Sequence, residues 1–200
     1  MTKKLIAAPL LAACVLLAAE PALSNLGKLL FKDDFSANSV WNGKVGIWEV
    51  VDGAAKVSED PKDKHGAVRR HPVRYRDGRI EFSFKLDGAS KIALMLNEPG
   101  AHVCLLYITP TGISLDQGKT AKGDIGHAVL AKRDMAIETG KWHRAVLEVR
   151  GNQLLAQING GPVLSGQSDR LDVPKNDIGF LVDGVSALFD DVQLFELQAH

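Results

Sequence analysis

The sequence predicts an all-β protein in which two antiparallel sheets pack face to face as a sandwich. Strand signals recur along it: residues 79–86, RIEFSFKL, alternate polar and apolar side chains as a half-buried strand does. Turn signals such as Asp52-Gly53 and Asn159-Gly160 separate such segments at roughly ten-residue intervals. Beyond residue 24, apolar residues at helical spacing are nearly absent. These observations predict about a dozen strands, which is too many for a small immunoglobulin-like domain and typical of a jelly roll.

The first half of the chain supplies several strands in order. Residues 47–57, IWEVVDGAAKV, give a tryptophan-containing strand followed by an Asp-Gly turn. Residues 91–98, KIALMLNE, direct their alternate apolar side chains to one face. Residues 101–109, AHVCLLYIT, are apolar on both faces, which is expected of a central strand that is covered on both sides.

The second half continues the pattern after an irregular segment. Residues 118–140 are the least regular part, and we expect one strand there, near Ala128 to Lys132. Trp142 then leads into a strand, the chain reverses near Gly151, and a second strand follows. The inward residues of this hairpin are Ala145, Leu147, Val149, Leu154, Ala156 and Ile158. No repeat or linker divides residues 25–200, so we expect a single domain.

The first 24 residues differ in character from the rest. Lys3 and Lys4 are followed by an apolar stretch from Leu5 to Ala19, and small residues close the segment at Ala22 and Ser24. This order predicts a signal peptide over residues 1–24 and a secreted or periplasmic protein. The alternative is a lipoprotein, because residues 11–14, LAAC, resemble the bacterial lipobox and would place a lipid anchor on Cys14.

The bulk composition excludes other classes of protein. The 24 basic and 24 acidic side chains balance, whereas nucleic-acid-binding proteins usually carry a basic excess, so we expect no nucleic-acid partner. No apolar stretch after the leader is long enough for a membrane span. Cys104 is the only cysteine beyond the leader and lies in an apolar strand, so we expect a buried structural thiol.

Three segments resemble the concanavalin A-like and laminin-G-like jelly-roll domains. They are GKWHRAVLEVRGNQLLAQINGGPV at residues 140–163, IWEVVDGAAKV at residues 47–57 and IGFLVDGVSALFDDVQLFEL at residues 178–197. The similarity covers nearly all of the chain after the leader. The chain resembles the secreted bacterial single-domain proteins labelled family-16 glycoside hydrolase-like or 3-keto-disaccharide-hydrolase-like. The resemblance implies a fold, and a fold leaves the function open.

The motif of the related hydrolases is incomplete in this sequence. Retaining hydrolases of this type carry Glu-x-Asp-x-Glu on one strand face, because their mechanism needs a nucleophile and an acid about 5 Å apart. The matching face here reads Glu81-x-Ser83-x-Lys85, which lacks a second carboxylate. We therefore predict no retaining glucanase activity. The other interpretation of this face is a solvated surface with a Glu81–Lys85 pair.

Three functions fit the sequence. The first is a carbohydrate-binding domain that uses one sheet face formed by the meander from Arg79 to Gln117. Its candidate contacts are Glu81, Lys85, Asn97, His102 and Tyr107, although strict alternation puts His102 and Tyr107 on opposite faces. The second function is a glycoside hydrolase or lyase that acts on glycans through Glu81 and a histidine or arginine from the long loop. The third is a non-catalytic structural or adhesion domain of the cell envelope.

Residues 65–77, HGAVRRHPVRYRD, form a basic run with two interpretations. The run could bind an anionic glycan through charge-assisted hydrogen bonds. It could instead be an edge strand that its basic residues and Pro72 guard against pairing, with nearby aspartates neutralising the charge. Among the tryptophans, we expect Trp48 and Trp142 in the core and Trp41 at the surface.

The resemblance also implies a metal site. In such sandwiches the first and last strands lie side by side and often hold a structural calcium, which prefers hard oxygen ligands. Asp34 and Asp190 are the pair that the resemblance suggests as ligands. The alternative is that these aspartates cap turns and are solvated.

Overall fold

A computed structural model of the protein describes residues 23–36 and 40–198. In these residues fifteen strands form two antiparallel sheets, and one 3-10 turn, Asp169–Leu171, lies outside them. The fold is therefore an all-β jelly-roll sandwich, as the sequence predicts. Residues 1–22 of the predicted leader, Cys14 among them, lie outside the described residues.

One sheet has eight strands. In spatial order they are β13 (Leu164–Gln167), β12 (Gln153–Ile158), β11 (Trp142–Arg150), β6 (Gly78–Leu86), β15 (Ser186–Leu197), β4 (Ala54–Ser58) and β3 (Ile47–Val51), with β1 (Leu26–Asp33) also paired to β15. The predicted hairpin at Gly151 is confirmed as β11 and β12, which pair from Ala145↔Ile158 to Arg150↔Gln153. The first and last strands lie side by side, as the resemblance implies.

The other sheet has seven strands. In spatial order they are β10 (Ala128–Asp134), β9 (Gly112–Gln117), β8 (Ala101–Thr109), β7 (Ala89–Glu98), β14 (Lys175–Gly184), β5 (Ala67–Tyr75) and β2 (Asn42–Val45). The strand β10 confirms the one strand expected in the irregular segment between residues 118 and 140. The strand β8 lies near the centre, between β7 and β9, as its apolar character predicts.

The meander from Arg79 to Gln117 does not form one face, so that part of the prediction is wrong. The strand β6 belongs to the eight-stranded sheet, whereas β7, β8 and β9 belong to the seven-stranded sheet. The turn after Leu86 therefore carries the chain from one layer of the sandwich to the other. As a result, Glu81 and Lys85 lie on one sheet, and Asn97, His102 and Tyr107 lie on the other.

The core lies between the two sheets and follows the alternation of the strands. The apolar residues of β6 that point inward, Ile80, Phe82 and Phe84, are fully buried. Phe82 contacts Phe180 of the opposite sheet with ring centroids 5.1 Å apart. Burial of such side chains contributes about 1.5–3 kcal/mol each and is the main stabilising term.

The turns match the chemistry of their sequences. Asp52 and Gly53 between β3 and β4 both have positive φ, 52° and 76°, as a tight two-residue hairpin turn requires. Asn159 and Gly160 after β12 do the same, with φ of 52° and 66°. Asp-Gly and Asn-Gly pairs tolerate this conformation at low cost, which explains why they mark the strand ends.

Two residues on the leader side of the predicted cleavage site, Leu23 and Ser24, contact the domain. The amide nitrogen of Leu23 donates to Glu148 Oε2 at 2.8 Å, and Arg150 donates to the Leu23 carbonyl at 3.1 Å. Ser24 is buried, and its hydroxyl donates to the carbonyl of Gln198. In a chain that begins at Asn25 these contacts would be missing.

Candidate functional site

The outer face of each sheet is the face that points away from the other sheet. On the eight-stranded sheet, the outer face of β6 and its neighbour β11 holds an ion-pair network formed by Arg79, Glu81, Arg144 and Glu148. Arg79 Nε lies 2.5 Å from Glu81 Oε1, and its Nη1 lies 2.6 Å from Glu148 Oε1. Arg144 lies 2.8 Å from Glu81 Oε2. Only 4% of Glu81 and 1% of Arg79 are exposed, so the interpretation of this face as solvated is wrong.

Glu81 is poorly suited to act as an acid catalyst in this network. Burial alone would raise the pKa of Glu81, but hydrogen bonds from Arg144 and Arg79 outweigh it and hold the pKa below its ordinary value. Both carboxylate oxygens accept hydrogen bonds from arginines. A general acid must be protonated before it reacts, and these arginines favour the ionised carboxylate.

Lys85 pairs with an aromatic ring rather than with Glu81. Its ammonium lies 5.2 Å from the ring centroid of Trp142, within the range of a cation–π contact. The two residues are direct partners in the pairing of β6 with β11. Lys85 therefore has no ion pair with Glu81, and the predicted pair is replaced by the ion-pair network.

On the seven-stranded sheet, three polar side chains of the outer face form a polar triad: Asn97, His102 and Asp177. The amide nitrogen of Asn97 donates to Asp177 Oδ1, and Asn97 Oδ1 lies 2.5 Å from His102 Nδ1. The residues come from three adjacent strands, β7, β8 and β14, and pair directly as Asn97↔His102 and Asp177↔Asn97. Asn97 is fully buried, so it positions its two neighbours and is not itself a contact.

The polar triad fixes the tautomer of His102. Because the amide nitrogen of Asn97 donates to Asp177, its Oδ1 is the acceptor, and Nδ1 of His102 carries the proton. Burial lowers the pKa of His102, and the positive charge of Arg70 lowers it further, so the ring is neutral at pH 7. Nε2 is then an acceptor directed away from Asn97.

A β-bulge brings His102 and Tyr107 to the same side of the sheet. In the pairing of β7 with β8 the register shifts between Leu96 and Asn97, which skips Val103. Val103 and Cys104 are consequently both in the core. Strict alternation places His102 and Tyr107 on opposite faces, and that prediction is wrong because of this bulge.

Apolar side chains form a floor beside the polar triad. Ala93, Met95 and Leu105 make a second, smaller apolar cluster on the outer face, and Tyr107 packs against it. Gly179 lies in the same floor: a methyl group there would come within 3.1 Å of Arg70 Cγ and Met95 Cε. The stem of Arg70 therefore lies over Gly179, next to the floor.

Asp177 is missing from the residues that the sequence suggests for this region, whereas Arg70 belongs to the basic run that could bind an anionic glycan. Asp177 precedes the inward residues Ile178, Phe180 and Val182, so alternation along β14 identifies it as an outward residue. What the sequence does not reveal is that β14 lies directly beside β7. That neighbour relation joins residues eighty positions apart in the chain.

The tryptophans differ from expectation. Trp41 is 9% exposed; it packs on Phe180 with centroids 5.2 Å apart, and its indole nitrogen donates to Asp33 at 3.0 Å. Trp142 is instead 45% exposed. Alternation along β11 puts Trp142 on the face opposite to the inward residues of that strand, so it faces outward. Trp48 packs against the core, as predicted.

Cys104 is a buried structural thiol, which confirms that prediction. Its side chain is fully buried in the core. Burial raises the pKa of the thiol to about 12. At neutral pH the group is therefore protonated and a poor nucleophile.

The predicted calcium ligands lie at one corner of the eight-stranded sheet. Asp34 follows the end of β1, and Asp190 lies at a register shift in β15. Burial raises the pKa of Asp190, and the charges of Asp191, Asp34 and Asp33 raise it further. Asp34 Oδ1 accepts hydrogen bonds from Ser36. Within residues 23–36 and 40–198, no group of three or more His, Cys, Asp or Glu side chains is arranged to hold a metal ion.

The basic run lies mostly in β5, which is the second strand from the sheet edge. The short strand β2 covers it only at Val68 and Arg70. Arg69 is structural, because it donates to the carbonyls of Val45 and Gly46. Arg70 and Arg74 are exposed and make no ion pair with any described residue, so the expected neutralisation by nearby aspartates does not occur there.

Solved structures of similar fold include proteins that bind or cleave carbohydrates. A carbohydrate-binding module, CBM66 from Bacillus subtilis, has a TM-score of 0.64 and 14% identity over 78% of this chain and 95% of its own. A protein of unknown function with a galectin-like fold, also from Bacillus subtilis, has a TM-score of 0.68 and 14% identity over 88% and 100%.

A third similar structure is an enzyme. SCLam, a non-specific endo-β-1,3(4)-glucanase from family GH16, has a TM-score of 0.63 and 15% identity over 90% of this chain and 94% of its own. No family model matches the chain, and no curated protein matches its sequence. In the described part of the chain, no helix has the length and apolar character needed to cross a membrane. The protein therefore has the jelly-roll sandwich fold that is also found in carbohydrate-binding modules, galectin-like proteins and family-16 glucanases.

Proposed function

We propose that the protein is a non-catalytic carbohydrate-binding domain whose site is the polar triad and the apolar floor beside it. The observation that carries the proposal is the triad itself, in which Asn97 holds Asp177 and His102 in fixed orientations on a sheet face. Asp177 accepts hydrogen bonds from sugar hydroxyls, and Nε2 of His102 accepts another. The floor with Tyr107 contacts the apolar face of a sugar ring.

The fold supports this proposal at a general level. A carbohydrate-binding module and a glucanase have the same sandwich, although at 14% and 15% identity. A shared fold raises the expectation of a related ligand class, while the function itself has to be argued from the site.

The alternative of a glycoside hydrolase or lyase depends on Glu81. Retaining hydrolysis needs a protonated acid and a separate nucleophile. Arginines bind both oxygens of Glu81, and Ser83 and Lys85 supply no second carboxylate. The neighbouring carboxylate of Glu148 is buried and is itself bound by Arg79. We therefore expect no turnover of β-1,3- or β-1,4-glucan by the protein. Turnover that is lost in Glu81→Gln would establish the hydrolase instead.

The binding proposal is tested by titration with a panel of oligosaccharides. The variants His102→Ala and Asp177→Ala should each weaken binding by about tenfold, which corresponds to one hydrogen bond of about 1.4 kcal/mol. Lys85→Ala, on the other sheet, is the matched control and should bind as the wild type does. The absence of binding across the whole panel would refute the proposal and favour the structural or adhesion role in the cell envelope.

We also propose that the domain is exported, as the basic, apolar and small-residue order of the leader indicates. Mass spectrometry of the protein from its native host should show a chain that begins near Asn25. An acylated amino-terminus at Cys14 would identify a lipoprotein, and an intact Met1 would contradict export. A start at Leu23 would keep the contacts of Leu23 and Ser24 with Glu148, Arg150 and Gln198.

A further inference from the structure

The outer face of β5 presents two exposed arginines next to the polar triad. Arg70 and Arg74 are four residues apart in one strand, so they lie on the same face, about 13 Å apart. The strand β5 pairs with β14, which carries Asp177. The arginines therefore border the proposed carbohydrate site along one side.

These two arginines have no structural partner, unlike other arginines at this end of the sheet. Arg76 lies 2.7 Å from Asp172, and Arg170 lies 2.6 Å from Glu98. Arg70 and Arg74 make no hydrogen bond or ion pair with residues 23–36 or 40–198, and both are exposed. An arginine that stabilises the fold is expected to bind a carboxylate or a carbonyl, so their role lies outside the fold.

Arg70 acts on the polar triad directly. Its positive charge lowers the pKa of His102, after the larger effect of burial. Its stem lies over Gly179, where a methyl group would come within 3.1 Å of Arg70 Cγ. Glycine at this position leaves space for the arginine stem against the sheet, so the guanidinium is held beside the site.

Arg74 lines an open pocket of about 520 Å³ at the end of the same sheet. The remaining lining residues are Tyr75, Arg76, Pro99, Pro174, Lys175 and Asn176. Tyr75 Oη and Asn176 Oδ1 are buried and have no hydrogen-bond partner within the described chain. Both atoms are closed to solvent, whereas Arg74 is exposed. Asn176 precedes Asp177 in β14, so the pocket lies near the polar triad along that strand.

Protection of the sheet edge explains only some of the residues of β5. Pro72 lacks an N–H group and limits pairing beyond Arg70, whose partner Asn42 is the first residue of β2. That role needs no cation on the outer face of the sheet. Two unpaired guanidinium groups in a row on that face match the planar oxygens of a carboxylate.

We propose that the protein binds glycans whose sugars carry a carboxylate, with Arg70 and Arg74 binding the carboxylates along β5. The inference rests on the proposed carbohydrate site and adds the class of ligand to it. Asp177 and His102 then bind hydroxyl groups of the same chain. The ligand class follows from the two free cations, because a neutral glycan would leave both without a partner.

The test compares oligogalacturonate with its methyl ester, which has the same length and hydroxyl pattern but no charge. We expect the acid to bind at least about tenfold more tightly than the ester, and Arg70→Gln and Arg74→Gln each to remove most of that difference. Lys122→Gln removes one charge from an exposed loop and is the control, which should bind the acid as the wild type does. Binding of the acid should also weaken as the salt concentration rises.

The outcomes separate this inference from the proposed function. Equal binding of acid and ester, unaffected by either arginine variant, would overturn the carboxylate assignment and leave a neutral-glycan site in place. Tighter binding of a sulfated polysaccharide than of oligogalacturonate would also overturn it. The absence of binding to any glycan would instead refute the carbohydrate site itself.

Discussion

Asn97 Oδ1 accepts a hydrogen bond from Nδ1 of His102 across 2.5 Å, while the amide nitrogen of Asn97 donates to Asp177. One buried amide thus orients both of the half-buried groups that we assign to the ligand. Replacing it by alanine leaves both partners without it, and we expect a loss of about 1–3 kcal/mol in the free energy of unfolding. Urea denaturation measures this loss.

The same variant should weaken glycan binding at temperatures where it is folded. Gln153→Ala, an exposed residue of β12, is the control and should change stability by less than about 0.5 kcal/mol. Unchanged binding in folded Asn97→Ala would show that the orientation of His102 and Asp177 has no part in recognition.

The ion-pair network around Glu81 should matter for stability. Glu81→Ala leaves Arg79 with one less partner in a buried position, and breaking a buried ion pair costs about 3–5 kcal/mol. Lys85→Ala on the same strand face should cost much less, because Lys85 is partly exposed and packs on the exposed ring of Trp142. Equal effects of the two variants on the urea midpoint would contradict this account.

Acid should weaken the fold through the same network. The pKa of Glu81 in the folded protein lies below its ordinary value of 4.5, because the arginine hydrogen bonds outweigh burial. The unfolded chain therefore binds the proton more tightly, and the stabilisation is present above about pH 4.5 and is lost as the pH falls through the folded pKa. We expect Glu81→Gln to reduce the dependence of stability on pH in that range.

The fold could be predicted from the sequence because its determinants are local. Alternation in residues 79–86 and the Asp-Gly and Asn-Gly turns each depend on neighbours in the chain, and the structure confirms them. The assignment of strands to sheets depends on where the chain crosses between layers. The short turn after Leu86 looks like an ordinary hairpin in the sequence, yet β6 and β7 lie in different sheets.

The candidate site was less predictable, because it depends on strand pairing and on a bulge rather than on neighbours in the chain. Asn97, His102 and Tyr107 are on one outer face, but a bulge at Val103 hides that relation from any argument based on strict alternation. Asp177 joins them only through the pairing of β14 with β7. The outward orientation of Trp142, by contrast, follows from the sequence, because alternation along β11 puts Trp142 on the face opposite to the inward residues.

Cys104 should react slowly with thiol reagents in the folded protein. Its side chain is fully buried, and burial raises the pKa of the thiol to about 12, so both access and thiolate content are low. Labelling should proceed only at the rate of unfolding and should become rapid in denaturant. Rapid labelling under native conditions would contradict the placement of Cys104 in the core.

Calcium binding at Asp34 and Asp190 remains a prediction. A cation would reduce the repulsion between the aspartates at this corner, since the charge of Asp34 contributes to raising the pKa of Asp190. A ligand that binds only the folded state raises the melting temperature by mass action. We expect calcium to raise the Tm of the wild type and to leave that of Asp190→Asn unchanged. The same Tm with calcium and with chelator would refute the prediction of a calcium site.

The central claim is that ligand binds the outer face of the seven-stranded sheet, and NMR titration of the protein with an oligosaccharide that it binds tests this most directly. We expect the amide signals of Asn97, His102 and Asp177 to shift on addition of the ligand, while those of Glu81 and Trp142 on the other sheet stay in place. Shifts confined to Glu81, Trp142 and their neighbours would contradict it and move the binding site to the eight-stranded sheet.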